Sequence, residues 1–235
     1  MKILEKINAE DLFLVIEDFI VLSDIHIGYE ESLNKNGFLL PISNTYEIKK
    51  KIKMVTSNKN INKIILNGDI VHSFGKISST EKKAIYSFLK FLKDTFDELI
   101  IIKGNHDKIL KYIVKEKIHD EYVIKNILIT HGDIINKKSS DKNIKTIVIG
   151  HEHPSITISS GYRQEKYKCF LKGKYLNKNL VIMPSCNMLV EGTDILKDKT
   201  LSPYIKEIEQ FKVYIVEDKI YDFGKISSIK KRLSL

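Results

Sequence analysis

The chain has 235 residues, a net charge of +9, 43% hydrophobic and 29% charged residues, and two cysteines. That length supports one large domain, residues 1–235, with a substantial core, and no Pro, Gly or Ser-rich linker divides it. No apolar run approaches the roughly 20 residues of a spanning helix, and the early charges Lys2, Glu5 and Lys6 argue against a signal peptide, so a cytoplasmic protein without a membrane partner is expected.

Cys169 and Cys186 lack the paired spacing of a zinc site and read as free thiols in a reducing compartment. The positive charge would suit a polyanion, but Arg163 and Arg232 are the only arginines among 39 basic residues. Lysine is the poorer choice for bidentate recognition of phosphates or base edges, and the runs Lys49 to Lys53 and Lys230 to Arg232 read as solvated faces.

In chain order, residues 3 to 22 predict two or three short strands, with turns near Asn8 to Asp11 and at Glu17-Asp18. Gly28 then opens a loop. Tyr46, Ile48, Ile52 and Val55 have helical spacing between Ile42 and Asn58, preceded by Pro41 and capped by Ser43 or Asn44. A strand through Ile64 to Leu66 follows. Ser78-Ser-Thr-Glu81 is a capping-box pattern ahead of Ala84, Ile85, Phe88, Leu89 and Leu92, a second crossover helix; Phe88, Phe91 and Phe96 on or beside it read as core. The next strand is Leu99 to Ile102, after which Gly104 allows a sharp turn. A short helix from Asp107 to about Lys117, a hairpin of Tyr122 to Ile124 with Ile127 to Thr130, and a polar loop from Asn136 to Lys145 come next. Beyond His153 the pattern is a meander: Ser155 to Ser159, Tyr167 to Tyr175, Leu180 to Met183 and Phe211 to Phe223, turning at Lys178-Asn179 and Glu217-Asp218. The fold class expected is α/β (α+β), two packed mixed sheets with helices outside.

One pattern recurs along this chain. Phe19 to Leu22 leads to Asp24 and His26, Ile64 to Leu66 to Asp69, Leu99 to Ile102 to Asn105, His106 and Asp107, Ile127 to Thr130 to His131, and Ile147 to Ile149 to His151 and His153. Ligands of open α/β sheets bind at the carboxyl ends of the strands, so these side chains should converge on one crevice. Six of the seven histidines lie in or just after these runs, His72 being the sixth; His119 reads as a surface residue. Asp, His and Asn without cysteine suit Mn, Fe, Zn or Ni, and so many groups exceed the needs of one ion. Two ions sharing one carboxylate would use them, activating a water and clamping phosphoryl oxygens, with Asp69 as the natural bridge.

Together Asp24-x-His26, Gly68-Asp69, Gly104-Asn-His-Asp107, His131 and Gly150-His-x-His153 resemble the calcineurin-like metallophosphoesterase superfamily. Leu22 to Glu30, Gly68-Asp-x-x-His72 and Leu180 to Gly192 are similar to a narrower branch, small archaeal phosphoesterases related to repair nucleases and DNA-ligase-associated phosphoesterases. The resemblance implies a metallophosphoesterase fold and a dinuclear centre of two divalent ions, foremost Mn. One ion would take Asp24, His26, Asp69 and His153, the other Asp69, Asn105, His131 and His151. It implies His106 as general acid, with Asp107 to orient it; His72 either contacts phosphate or only shapes its loop.

Of the neighbours, Glu152 should point away from the ions, Asp133 should support a ligand from behind, and Tyr29 and Glu30 either border the pocket or pack. The activity expected is phosphodiester hydrolysis, on nucleotides or nucleic-acid ends; the alternatives are a phosphomonoesterase, a nucleotide pyrophosphatase or a non-catalytic scaffold. The part of the chain after His153 is taken up by the late strands, so a separate duplex-gripping domain is not expected. A homo-oligomer is left open.

Overall fold

Successive side chains of a strand point to opposite faces, so a strand that is apolar at every position must be covered on both sides. The computed structural model describes residues 1–38, 40, 44–73, 77–160 and 163–233, and the short Ile, Val and Leu runs are covered in this way. The first sheet is ordered β1 (Lys2–Leu4), β2 (Ile7–Glu10), β3 (Phe13–Ile16), β4 (Phe19–Leu22), β5 (Lys63–Asn67), β6 (Glu98–Ile102) and β7 (Ile118–His119). The members up to β4 pair antiparallel, and β4, β5, β6 and β7 pair parallel.

The second sheet contains β8 (Glu121–Ile124), β9 (Ile127–Thr130), β10 (Thr146–Ile149), β11 (Pro154–Ser160), β12 (Arg163–Tyr175), β13 (Lys178–Ile182), β14 (Thr193–Asp194), β15 (Lys212–Val216) and β16 (Ile220–Lys225). Here β9, β10 and β13 run parallel, while β12 pairs antiparallel with β11, β13 and β15.

The alternation then builds three apolar layers. Val21, Ile65 and Ile100 point inward and meet Ile129, Val148, Phe170 and Val181 of the opposite sheet. Ile20, Leu22, Ile64, Leu66 and Ile101 point outward beneath α2 (Asn44–Thr56) and α3 (Ser79–Thr95), which contribute Ile48, Ile52, Ile85, Phe88 and Leu92. Ile147, Ile149, Leu180 and Ile182 cover the other outer face together with Tyr204, Phe211, Ile226 and Ile229. The two-sheet α/β expectation holds.

Several boundaries differ from the sequence reading, each for a local reason. The amino-terminal segment makes four strands, because a turn at Glu5-Lys6 separates β1 from β2, and Asn8, expected in a turn, lies within β2; the next two turns close at Asp11 and Glu17 with left-handed φ of 52° and 56°. Where a loop was expected after Gly28, Gly28 (φ 99°) starts α1 (Tyr29–Lys35), favoured by Glu30 and Glu31 in its first turn. Asn44 opens α2 but does not cap it; its backbone N–H donates to Glu30 instead. Pro41 and Ser43 lie outside the described residues.

The helix expected to reach Lys117 is a 3-10 turn over Asp107–Tyr112, and a second 3-10 turn, Lys137–Ser140, interrupts the expected 136–145 loop. The hairpin between β12 and β13 turns at Leu176-Asn177 rather than Lys178-Asn179, since Tyr175 pairs with Lys178 and Leu176 takes φ 50°. The basic run Lys230 to Arg232 lies on α4 (Ile226–Leu233), whose apolar residues Ile226 and Ile229 are buried. No helix among the described residues is long and apolar enough to cross a membrane.

The capping box before α3 is half formed. Ser78 Oγ accepts from the Glu81 N–H at 2.9 Å, but the Glu81 carboxylate turns away to take Ser73 Oγ at 2.7 Å. Ser78→Ala should therefore cost about 1 kcal/mol, the usual worth of such a cap, read as a lower urea midpoint with an unchanged slope.

Candidate metal centre

Parallel pairing of β4, β5 and β6 aligns Leu22, Leu66 and Ile101 in one row, and the same holds for Ile129, Val148 and Val181 of β9, β10 and β13. The residues beyond each row therefore emerge at one edge of each sheet. Backbone bonds then knit the edges: Asp24 N–H donates to Gly68 O, His26 N–H to Asp69 O, and Gly150 N–H to His131 O.

Asp24, His26, Asp69 and His153 bring one potential ligand atom each to within 4.8 Å of one another, and so do Asp69, His131 and His151. Asp69 belongs to both groups. Its Oδ2 lies 3.3 Å from His131 Nε2 and 3.9 Å from His26 Nε2; Asp24 Oδ1 lies 3.2 Å from His153 Nε2. Asn105 joins the second group, with Oδ1 3.1 Å from His131 Nε2. Asp24 also ties the sheets together, accepting the His151 N–H at 3.1 Å and Ser23 Oγ at 2.7 Å.

This arrangement fits a cation. Asp24 is fully buried and Asp69 is 2% exposed, yet among the described residues neither has a lysine or arginine within ion-pair distance. Buried carboxylates need positive charge or metal beside them. Burial opposes ionisation of Asp24, but the His153, His131 and His26 rings hold its carboxyl well below the usual range. Burial likewise opposes charging of His131, and Asp69 and Asp24 overcome it, raising that imidazole to about 9. His26 is drawn down to about 4 by burial, with Asp24 opposing.

The backbone is also bent to this purpose. Among the described residues, nine non-glycine residues have left-handed φ; four lie in hairpin turns, and the other five are Asp24, His26, Asp69, His151 and His153, at 47° to 62°. Such conformations cost about 1–3 kcal/mol each and persist only where their surroundings impose them. Gly104, expected as a sharp turn, has no left-handed φ; a Cβ there would overlap the Asp69 carboxylate, so glycine is needed for close approach.

Around the cluster the outcome is mixed. His106 Nε2 lies 3.9 Å from Asp69 Oδ2, and its Nδ1 lies 3.1 Å from the carbonyl oxygen of His72, which fixes the proton on Nδ1. Asp107 does not orient His106. Its Oδ1 accepts from Ile70 and Val71 and its Oδ2 from Gly104, so it pins the loops that carry Asp69 and Asn105; burial pushes it up to about 6.

The His72 ring stands farther out, 5.9 Å from that of His26 and edge-on to Tyr29 at 4.8 Å. Glu152 points away, accepting the Leu201 and Ser202 N–H groups, and Glu30 turns inward to α2. Asp133 acts on His131 and His151 through its charge. His119, taken as a surface residue, is half-buried on β7 with its ring beside Tyr122. Phe88 and Phe96 are buried, whereas Phe91 is only partly so, with Lys49 and Lys53 over its ring. Cys169 and Cys186 are buried and free, and burial raises both thiols, Cys186 to about 12.

Sequence reasoning passes over Ser23, Ser185 and Asn187 as site residues and reads Asn44 only as a helix cap, yet all four surround the Asp24 to His26 turn. A signal existed. Ser185 and Asn187 follow β13 as the other site residues follow their strands, but they carry neutral side chains.

No curated protein matches the sequence significantly. Among solved structures, nuclease MPE of Pseudomonas putida superposes with a TM-score of 0.62 at 14% identity, covering 91% of this chain and 92% of that one. The phosphoesterase YfcE from E. coli aligns with a TM-score of 0.41 at 12% identity over 85% and 88%, and zinc-complexed Vps29 from Entamoeba histolytica with 0.37 at 14% over 88% and 99%. The likeness to the nuclease is one of fold. Residues 18–190, which include every strand-end block described above, match the calcineurin-like phosphoesterase family, and the chain belongs to that family.

Proposed function

We propose that the protein is a metal-dependent phosphodiesterase with a dinuclear centre bridged by Asp69, acting on nucleotides or nucleic-acid ends. The observation that carries this reading is the membership of Asp69 in both ligand groups. Asp24, His26, Asp69 and His153 would hold one ion, and Asp69, Asn105, His131 and His151 the other. The oxygen and imidazole donor set suits Mn, Fe, Ni or Zn, and the family resemblance puts Mn first. Divalent ions bound there supply positive charge for phosphoryl oxygens and lower the pKa of water.

The chain's own residues do the rest. With Nδ1–H held by the His72 carbonyl, His106 presents Nε2 toward the cluster, and the imidazolium donates a proton from that atom to the departing oxygen. A cleft of about 860 Å³ beside Asn105 is lined by Lys103, Lys108 and Lys111 together with Asp107, Asp120 and Asp133, with room for a nucleotide-sized diester. Lys103 pairs with Asp120, which leaves Lys108 and Lys111 the better placed cations for a second phosphate. The fold shared with a nuclease is in keeping with a diester, as is the resemblance of Leu22 to Glu30 and Leu180 to Gly192 to the repair-nuclease-related branch.

Asp69→Asn removes a charge from both ligand groups and should release both ions, whereas His26→Ala should weaken mainly one. Elemental analysis of Mn-dialysed protein measures this; two retained ions and full activity in Asp69→Asn would refute the bridge.

His106→Ala should keep its metal and lose about 10² to 10⁴-fold in turnover of a nucleotide diester, whose alkoxide leaving group needs a proton. The loss should be smaller with bis-p-nitrophenyl phosphate, since nitrophenolate leaves unaided. Equal losses on both substrates, or a missing ion, would contradict the general-acid role.

A further inference from the structure

The Asp24-Ile25-His26 turn is left-handed at both ends, with φ of 55° and 48°, and carries two of the four groups of one ion site. Its N–H groups face the Asp69 loop, where Asp24, His26 and Ile27 donate to Gly68, Asp69 and Ile70 carbonyls. Its carbonyls face the opposite way, and one short segment captures them in succession. Cys186 N–H donates to Ser23 O at 2.9 Å and Ser185 Oγ to Asp24 O at 2.6 Å. Asn187 Nδ2 spans Ile25 O at 3.0 Å and His26 O at 3.4 Å.

That segment is itself held from behind. Lys168 Nζ on β12 donates to Ser185 O at 2.9 Å and to Asn187 O at 2.7 Å, the carbonyls on either side of Cys186. Asn44 of α2 accepts the Met188 N–H at 2.9 Å. The Lys168 backbone also pairs in register with Ser155, two residues beyond His153, so one residue stands behind Asp24 and His26 through its side chain and near His153 through its strand.

We infer that Ser185, Asn187 and Lys168 are positioning residues, a clamp that holds the Asp24 to His26 turn in its left-handed form and so sets the affinity of the ion held by Asp24, His26, Asp69 and His153. None of the three is a ligand. The inference rests on the two-ion reading above. Groups that orient ligands from outside typically govern metal affinity by 10–100-fold. The second site shares Asp69, and His151 donates its N–H to Asp24, but Asn105 and His131 follow β6 and β9 and none of the clamp's hydrogen bonds reaches them, so the clamp acts foremost on the Asp24 ion.

The test is calorimetric titration of chelator-stripped full-length protein with Mn. Wild type should bind two ions with separable affinities, and His26→Ala identifies the binding phase of the Asp24 site by removing it. Lys168→Met, which keeps the aliphatic stem, and Asn187→Ala should each weaken that same phase at least tenfold while leaving the other within about twofold. Lys168→Arg, which keeps two donors, should recover most of the loss. Lys172→Met, removing a lysine on the same strand that donates to Ile3 O, should change neither phase. If Asn187→Ala does not fold, Lys168→Met alone decides. Unchanged binding of both ions in folded Lys168→Met, or equal weakening of both, would overturn the clamp while sparing the two-ion reading. A wild type that binds fewer than two ions would overturn that reading and the clamp with it.

Discussion

Two buried carboxylates with no lysine or arginine beside them among the described residues set the terms for the rest of this structure. Asp24 and Asp69 are placed where the two sheets meet, and an ionised carboxylate taken out of water is costly unless positive charge stands beside it. Imidazoles from both sheets surround them, and the backbone accepts five left-handed residues to bring those imidazoles in. Three apolar layers, built by simple alternation along short strands, form a frame stiff enough to impose that strain.

The frame and the site are therefore one construction. Parallel pairing aligns strand ends, and aligned ends deliver side chains to a common edge. Asp24 receives the His151 N–H across the sandwich, so the carboxylate that would hold an ion also joins the sheets. Asp107 shows the same economy: a residue in the middle of a site motif uses its oxygens to fasten two loops. Chemistry at the edge depends on backbone bonds made just behind it.

Much of this was legible in the sequence because the strand-end rule is physical and repeats. Apolar runs of three or four residues, each followed by Asp or His, located Asp24, His26, Asp69, His131, His151 and His153 without any knowledge of the fold. The hairpin turn at Leu176 and the amino-terminal turn at Glu5-Lys6 were not legible, since neither residue type announces a turn, and Gly28 announces a left-handed φ without telling whether a loop or a helix follows. The role of Asp107 was misread for a related cause: sequence displays side chains, and its partners are amides. Ser185 and Asn187 obey the strand-end rule with neutral groups, and a search for metal ligands passes over them.

The proposed centre depends on Asp69 standing between two ions. Anomalous diffraction at the Mn edge, from crystals of the full chain grown with Mn, tests that claim directly. Two peaks about 3.5–4 Å apart are expected, both in contact with the Asp69 carboxylate, one beside Asp24, His26 and His153 and the other beside Asn105, His131 and His151. A single peak, or a pair with Asp69 touching only one of them, would contradict it.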